Sequence, residues 1–228
     1  MKKFIKEYVD HIIPIYAILP LIFGVFFNSF VYFGSQQISK GFYHHNLSNS
    51  IDRDIPFIDS FVIIYCLWYL FYLFNYILIT REGKKKYFKF FTSDFIAKII
   101  CFCLFIFFPT TMDLRPAVVG HSIFDNMIKV IYLIDPPTNL FPSIHCMVSW
   151  FCFIGIKNSK KIPHWYKRLS LIVSLLIITS TLLVKQHVLI DAISGVLLAE
   201  ITYLIGQKTE LYKLPMKIFD KITDKLLY

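Results

Sequence analysis

The stretch FIDSFVIIYCLWYLFYLFNYILI, residues 57–79, decides the class of fold. A helix needs about 20 consecutive apolar residues to cross the hydrocarbon core of a bilayer, and this run is long enough. The rest of the chain is similarly apolar, because 56% of its 228 residues are hydrophobic. Ordinary soluble domains use about 45–50%. The run therefore indicates a membrane protein rather than a soluble domain.

Other apolar runs lie at residues 12–33, 89–109, 143–156, 169–184 and 188–206. Together with residues 57–79 they predict an all-α integral membrane protein with six transmembrane helices, formed by one membrane domain over residues 1–228. The short segment 143–156 also fits a re-entrant or buried helix, which would leave five spans. The first run is too long for the apolar region of a signal peptide and no small-residue cleavage site follows it, so we expect it to be retained.

The net charge of +9 is unevenly distributed, which argues against a nucleic-acid partner. Eighteen of the 24 Lys and Arg residues lie in four clusters beside alternate span ends, at residues 2–6, 81–89, 157–168 and 208–225. The positive-inside rule places these clusters and both termini in the cytoplasm. There we expect them to contact anionic lipids. Lys98 lies inside the third span, near its cytoplasmic end, and we expect it to snorkel to the interface.

Polar residues collect at the predicted outer face, within residues 109–195. The long second outer loop and the helix after it carry Arg115, Ser143 and His145, and the short third outer loop and the helix after it carry Lys185, His187 and Asp191. Topology brings these blocks to one membrane face at about the same depth.

The two histidines of this set suggest phosphoryl transfer. Asp191 follows His187 by four residues, so on a helix the two share a face. Asp191 then orients the imidazole and stabilises the charge that forms when His187 attacks phosphorus. His145 is the candidate that protonates the leaving oxygen and later activates water.

The remaining residues suit the substrate phosphate. Arg115 offers a planar fork that matches phosphate oxygens. Lys185 adds a point charge, and Ser143 adds a hydroxyl at the start of the fourth helix, whose first N–H groups favour anions. The scheme requires no metal and no cofactor.

These blocks resemble the three signature motifs of the type-2 phosphatidic acid phosphatase superfamily, which includes vanadium haloperoxidases. Arg115-Pro116 matches the end of the first motif, Pro142-Ser143-Ile144-His145 the second, and Ser180-Thr181 with His187 and Asp191 the third. The resemblance covers residues 90–206. It implies a six-helix membrane bundle with an outward-facing site, and the catalytic set His187, Asp191 and His145.

Three positions depart from the family pattern, since Phe108, Ile144 and Thr181 stand where the family has lysine, glycine and arginine. Two phosphate-binding cations are thus missing from their usual places, and Lys185 is the candidate replacement. The segments FPTTMDLRP and KQHVLID are more similar to the branch that includes inositol-phosphorylceramide synthases. That branch contains phosphotransferases as well as phosphatases.

The sequence therefore predicts a membrane phosphatase that cleaves a lipid phosphate or pyrophosphate monoester through a phosphohistidine, at the extracytoplasmic face. The alternative is a lipid phosphotransferase, similar to inositol-phosphorylceramide or sphingomyelin synthases, that uses the same residues with an alcohol in place of water. A third possibility is a non-enzymatic transporter or scaffold, which the complete set of two histidines, aspartate and arginine disfavours. The richness in Ile, Lys, Phe and Asn points to a bacterial cell membrane. The lipid, the acceptor and the oligomeric state are not readable from the sequence.

Overall fold

A computed structural model describes residues 10–227 of the chain. The long helices are α1 (Ile15–Ser39), α3 (Asp59–Thr80), α4 (Lys84–Phe107), α7 (His164–Leu183) and α8 (Leu189–Lys208). Each is long and apolar enough to cross a bilayer, which makes the chain a multi-pass membrane protein. The shorter helices are α2 (Ser50–Asp54), α5 (Ile123–Ile134), α6 (Ile144–Ile154) and α9 (Lys213–Leu227).

The structure bears out five of the six predicted spans. The first of them reaches further than predicted, because a π-helical turn at Phe30–Gly34 continues the helix to Ser39. The segment predicted at 143–156 forms only the 11-residue α6, which is about 16 Å long at 1.5 Å per residue. This is roughly half of the hydrocarbon core. A sixth span is therefore not confirmed, and α6 fits the alternative of a short buried helix.

The centre of the bundle is α6, which packs against α3, α7 and α8. Eight of its 11 residues are buried. Gly195 allows the close approach of α8, because a Cβ at this position would lie 2.5 Å from the carbonyl oxygen of Ser143. The contact holds the start of α8, just after His187, against the start of α6, which carries His145.

Lys98 does not snorkel to the interface, and that prediction is wrong. The side chain is fully buried, and its ammonium lies 2.8 Å from the Asp94 carboxylate and 3.4 Å from the carbonyl oxygen of Gly24. The hydroxyl of Tyr76 donates to the other carboxylate oxygen at 2.8 Å. A buried charge is tolerated only with such partners. The cluster joins α1, α3 and α4.

The long connections between α1 and α3 and between α4 and α6 pair over one end of the bundle. Two short strands, β1 (His45–Asn46) and β2 (Thr110–Thr111), run parallel with His45 opposite Thr110. The second connection also contains α5, which Ser122 caps. Residues 135–143, predicted to be extended or turning because of their prolines, are non-helical. The candidate catalytic residues all lie at this end.

The basic clusters meet at the opposite end of the bundle. Lys161 donates to the carbonyl oxygen of Arg81 at 2.5 Å, and Lys84 pairs with Asp220 of α9 at 2.7 Å. Clusters 81–89, 157–168 and 208–225 are thus neighbours. The cluster at residues 2–6 lies outside the described residues.

Candidate active site

A cavity of about 570 Å³ lies between α1, α3 and α5 and ends at His145 and His187. The centres of the two imidazole rings are 5.7 Å apart. Apolar side chains such as Phe33, Met127 and Val130 make up much of the remaining lining. The cavity therefore joins two chemically reactive side chains to a largely apolar space beside the membrane helices α1 and α3.

His187 lies in a tight turn between α7 and α8. Its backbone N–H and that of Gln186 both donate to the carbonyl oxygen of Thr181, at 3.1 and 2.9 Å. Lys185 adopts a positive φ of 51°, a region that is costly for residues with a Cβ. The turn thereby brings the His187 ring to the end of the cavity.

Asp191 meets His187 by a route that differs from the predicted shared helix face. Helix α8 begins at Leu189, so His187 precedes it, and Asp191 is the third residue of the helix. Its Oδ2 accepts the N–H of Val188 at 3.0 Å and lies 3.4 Å from His187 Nδ1. Within residues 10–227, neither His187 Nδ1 nor Asp191 Oδ1 makes a hydrogen bond. His187 and Asp191 are therefore adjacent groups that interact electrostatically, without a hydrogen bond between them.

The start of α6 places His145 opposite His187. Ser143 caps this helix, because its Oγ accepts the N–H of Cys146 at 3.2 Å, and its own N–H donates to the Asp191 carbonyl at 3.0 Å. Ser143 is fully buried and lies behind the cavity wall, whereas Ile144 and His145 line the cavity. The first N–H groups of a helix have no intrahelical acceptor, so this end of α6 suits an anion.

The ring of His145 is held by two side chains of α3. The centres of the Tyr65 and Trp68 rings lie 4.9 and 4.6 Å from the imidazole centre. The Tyr65 hydroxyl lies 3.1 Å from His145 Nε2 and donates to Asp135 at 2.8 Å.

Arg115 lies directly behind the cavity. Its Nη2 donates to the carbonyl oxygen of Asp135 at 2.8 Å and to Oε1 of Gln186 at 2.5 Å. The guanidinium also stacks on the Tyr132 ring at 4.4 Å. Burial lowers the pKa of Arg115 and the Asp135 carboxylate opposes this, while burial raises the pKa of Tyr132 to about 12. Gln186 lines the cavity, so it stands between the Arg115 charge and the space beside His187.

Lys185 is directed away from the two histidines. Its buried ammonium donates to the carbonyl oxygens of Asp52 and Ile55, at the end of α2. The structure thus brings His145, His187 and Asp191 together, with Arg115 adjacent. It engages Lys185 and Ser143 with neighbouring backbone groups instead.

A family model described as the PAP2 superfamily matches residues 39–205, a range that includes both histidines, Asp191 and Arg115. The chain belongs to the PAP2 superfamily. Members are phosphoesterases and phosphotransferases, so membership supports an enzyme that acts on phosphate esters. No curated protein and no solved structure matches the chain.

The departures from the PAP2 pattern are accommodated by local packing. Phe108 stacks on His45 with ring centres 4.5 Å apart, beside the paired strands. Thr181 is buried, and its carbonyl oxygen anchors the turn that carries His187. Neither residue lines the cavity.

Four residues beyond the predicted site residues line the PAP2 site, namely Tyr32, Tyr65, Asp135 and Gln186. Tyr32 and Tyr65 lie inside apolar spans, where an aromatic residue is expected to be lipid-facing or core. Asp135 could have been noticed in the sequence, since it directly precedes the proline-rich segment that leads to His145. Only the folded chain shows that all four line one cavity.

In the part of the chain that the structure describes, no group of three or more His, Cys, Asp or Glu side chains is arranged to hold a metal ion. The four His and Asp side chains at the PAP2 site lie in two separate places, with His187 beside Asp191 and with His145 connected to Asp135 through Tyr65. That the reaction requires no metal stays a prediction, which removal of metal ions by a chelator tests.

Proposed function

We propose that the chain is a membrane lipid phosphatase, which cleaves a lipid phosphate or pyrophosphate monoester through a phosphohistidine on His187. The observation that carries this proposal is the pair of imidazoles, 5.7 Å apart, at the end of a largely apolar cavity bounded by the membrane helices α1 and α3 and by the shorter α5. Membership of the PAP2 superfamily supports the phosphate-ester chemistry, and the cavity supports the lipid.

The mouth of the cavity favours a lipid over a soluble phosphate ester. Phe33 of α1, Tyr69 of α3 and Val130 of α5 all line the cavity, and they are 56, 57 and 56% exposed. One exposed apolar or aromatic residue on each bounding helix indicates an opening on the side of the bundle. A hydrocarbon chain would enter there directly from the bilayer.

In the first half-reaction, Nε2 of His187 attacks phosphorus and a P–N bond forms. The P–O bond to the lipid breaks, and protonated His145 gives its proton to the departing oxygen. Asp191 Oδ2, 3.4 Å from His187 Nδ1, stabilises the positive charge that develops on the imidazole.

In the second half-reaction, neutral His145 takes a proton from water. The water oxygen attacks phosphorus, the P–N bond breaks, and inorganic phosphate and free His187 are released. His145 is left protonated for the next cycle, so atoms and charge balance. An alcohol in place of water would give the phosphotransferase alternative with the same residues.

The phosphate oxygens have donors on two sides of the cavity end. The first N–H groups of α6, at Ile144 and His145, face them from one side. Gln186 faces them from the other, and Arg115 polarises its amide by binding Oε1. We assign Ser143 and Lys185, predicted as direct phosphate ligands, to holding α6 and the 185–188 turn in place.

The arrangement of charges supports an extracytoplasmic site in a cell membrane. Three basic clusters meet at the end of the bundle opposite His145 and His187, as the positive-inside rule predicts for the cytoplasmic end. Helix α9 continues this surface, with exposed lysines at every fourth residue, Lys213, Lys217, Lys221 and Lys225. We propose that they contact anionic lipids.

Phosphate release from a panel of lipids by the full-length protein in detergent tests the proposal. The panel contains phosphatidate, phosphatidylglycerol phosphate and a polyprenyl pyrophosphate, each with and without an added alcohol such as inositol. A phosphatase releases inorganic phosphate without the alcohol. Formation of phosphorylated alcohol in its place supports the transferase, and no turnover on any lipid contradicts both.

A further inference from the structure

Asp135 is bound through every oxygen atom that it carries. Its carboxylate accepts a hydrogen bond from the Tyr32 hydroxyl on Oδ1 and one from the Tyr65 hydroxyl on Oδ2, the latter at 2.8 Å. Its backbone carbonyl accepts Nη2 of Arg115 at 2.8 Å. Groups from α1, α3 and the second outer loop thus converge on this residue, which leaves the carboxylate a single orientation.

The Tyr65 hydroxyl connects this carboxylate to His145. It lies 3.1 Å from His145 Nε2 as well as 2.8 Å from Asp135 Oδ2. A phenol has one hydrogen, and an ionised carboxylate only accepts, so the hydrogen of Tyr65 belongs to the bond with Asp135. The phenol oxygen then accepts from His145, which requires the hydrogen of the neutral imidazole to be on Nε2.

The other ring nitrogen of His145, Nδ1, is available to take part in proton transfer. Nδ1 makes no hydrogen bond with any residue from 10 to 227, and His145 lines the cavity beside His187. The unprotonated Nδ1 of the neutral ring can accept a proton from a nucleophile, and the same atom donates once the ring is charged. His187 Nδ1 lies 3.4 Å from the Asp191 carboxylate, so one histidine is beside a carboxylate directly and the other reaches a carboxylate through the Tyr65 phenol.

We propose that Asp135 and Tyr65 are positioning residues for His145, and that they act as a carboxylate–phenol relay that fixes its tautomer and stabilises its charged form. This inference rests on the proposed function. In each cycle, Nδ1 releases its proton to the leaving oxygen and regains one from the acceptor, while Nε2–H stays bonded to Tyr65. Asp135 thus stabilises the charged form of His145 through Tyr65, whereas Asp191 stabilises that of His187 by direct contact.

A leaving-group comparison separates this role from a structural one. The full-length protein is assayed with the best lipid phosphate of the panel and with an alkyl-substituted nitrophenyl phosphate, whose leaving group needs little protonation. Proton transfer by a positioned side chain contributes about 100- to 10,000-fold to rate. Tyr65→Phe and Asp135→Asn should lower kcat/KM, which reports only the steps up to departure of the leaving group, at least about 10-fold for the lipid ester and less than about 3-fold for the aryl ester.

Two further variants calibrate the comparison. Tyr43→Phe removes a hydroxyl from an exposed side chain that does not line the cavity, and should leave both rates unchanged. Asp191→Asn impairs the nucleophile and should lower both rates together. If Tyr65→Phe lowers both rates equally, or neither, the relay is wrong although the phosphatase is right. If the wild type cleaves neither ester, the proposed function itself has failed.

A second measurement does not depend on turnover. In the ¹⁵N spectrum of the protein labelled at histidine, the resonances that vanish in His145→Asn report the tautomer of His145. The wild type should show the Nε2–H form, and Tyr65→Phe should show a mixture of both tautomers. A wild-type ring protonated on Nδ1, or a tautomer unchanged in Tyr65→Phe, would overturn the proposal.

Discussion

The ammonium group of Lys185 lies 2.8 Å from the carbonyl oxygen of Asp52, at the end of α2. The same aspartate binds the other side of the catalytic turn, because its Oδ1 accepts the N–H of Leu189 at 2.7 Å. Helix α2, in the connection between α1 and α3, thus holds Lys185 and Leu189, which lie two residues before and two residues after His187. This clamp spans more than 130 residues of sequence.

Lys185→Met and Asp52→Asn should each destabilise this turn. A hydrogen bond to a charged group contributes roughly 1.5–3 kcal/mol, so each variant should lower both the free energy of unfolding and kcat. The double variant should lose less than the sum of the two, because both residues hold one turn. An unchanged stability with a raised KM for Lys185→Met would instead support the direct phosphate contact that the sequence suggested.

His187→Ala should abolish turnover while the protein stays folded and inserted. The imidazole is the proposed nucleophile, and no other side chain shares its position beside Asp191. His121→Ala is the matched control, since His121 is exposed in the connection between α4 and α6 and does not line the cavity. Phosphate release by folded His187→Ala at the wild-type rate would falsify the assignment.

Gly195→Ala should impair activity without touching a catalytic side chain. The new Cβ would lie 2.5 Å from the carbonyl oxygen of Ser143, so α6 and α8 must move apart. Overpacking of this kind costs about 1–3 kcal/mol, and we expect a lower Tm together with a lower kcat. Gly41→Ala, with nothing within 4 Å of the added carbon, should change neither. Equal behaviour of the two variants would contradict the close approach.

Activity should survive EDTA. The two carboxylates at the site, Asp135 and Asp191, each serve a separate histidine, and magnesium is usually bound through carboxylates together with substrate phosphates. Phosphate release is measured before and after chelation, and again after magnesium is added back. Loss with the chelator and recovery with magnesium would contradict the metal-free scheme.

A cysteine at position 119 should be labelled from outside intact cells. Val119 is 83% exposed in the connection between α4 and α6, and Val119→Cys is made in a Cys103→Ser background because Cys103 is exposed. Lys160→Cys, in the basic loop between α6 and α7, is the control and should react only after permeabilisation. The reverse pattern would invert the proposed orientation.

The proposed catalytic pair, His187 and Asp191, shows how far sequence reasoning reaches at this site. His187 and Asp191 were predicted as partners, and the structure brings them within 3.4 Å. The predicted reason, a shared helix face, is wrong because α8 starts two residues after His187. The pair meets because the Asp191 carboxylate accepts the N–H of Val188 and so caps the start of the helix. The conformation of such a capping turn depends on local backbone dihedral angles, which the spacing of residues alone does not specify.

The sequence by itself determined five membrane spans and the two histidine blocks. Apolar runs of about 20 residues are long enough to cross the bilayer, since transfer from water depends on local composition, and the motif residues are close in sequence to those runs. The partners of these residues were decided only by the tertiary structure. Lys185 binds Asp52, Tyr65 links Asp135 to His145, and Arg115 binds Gln186 across separations of 70 residues or more. Hydrogen bonds act over about 3 Å, so only the packing of the helices specifies which distant groups meet.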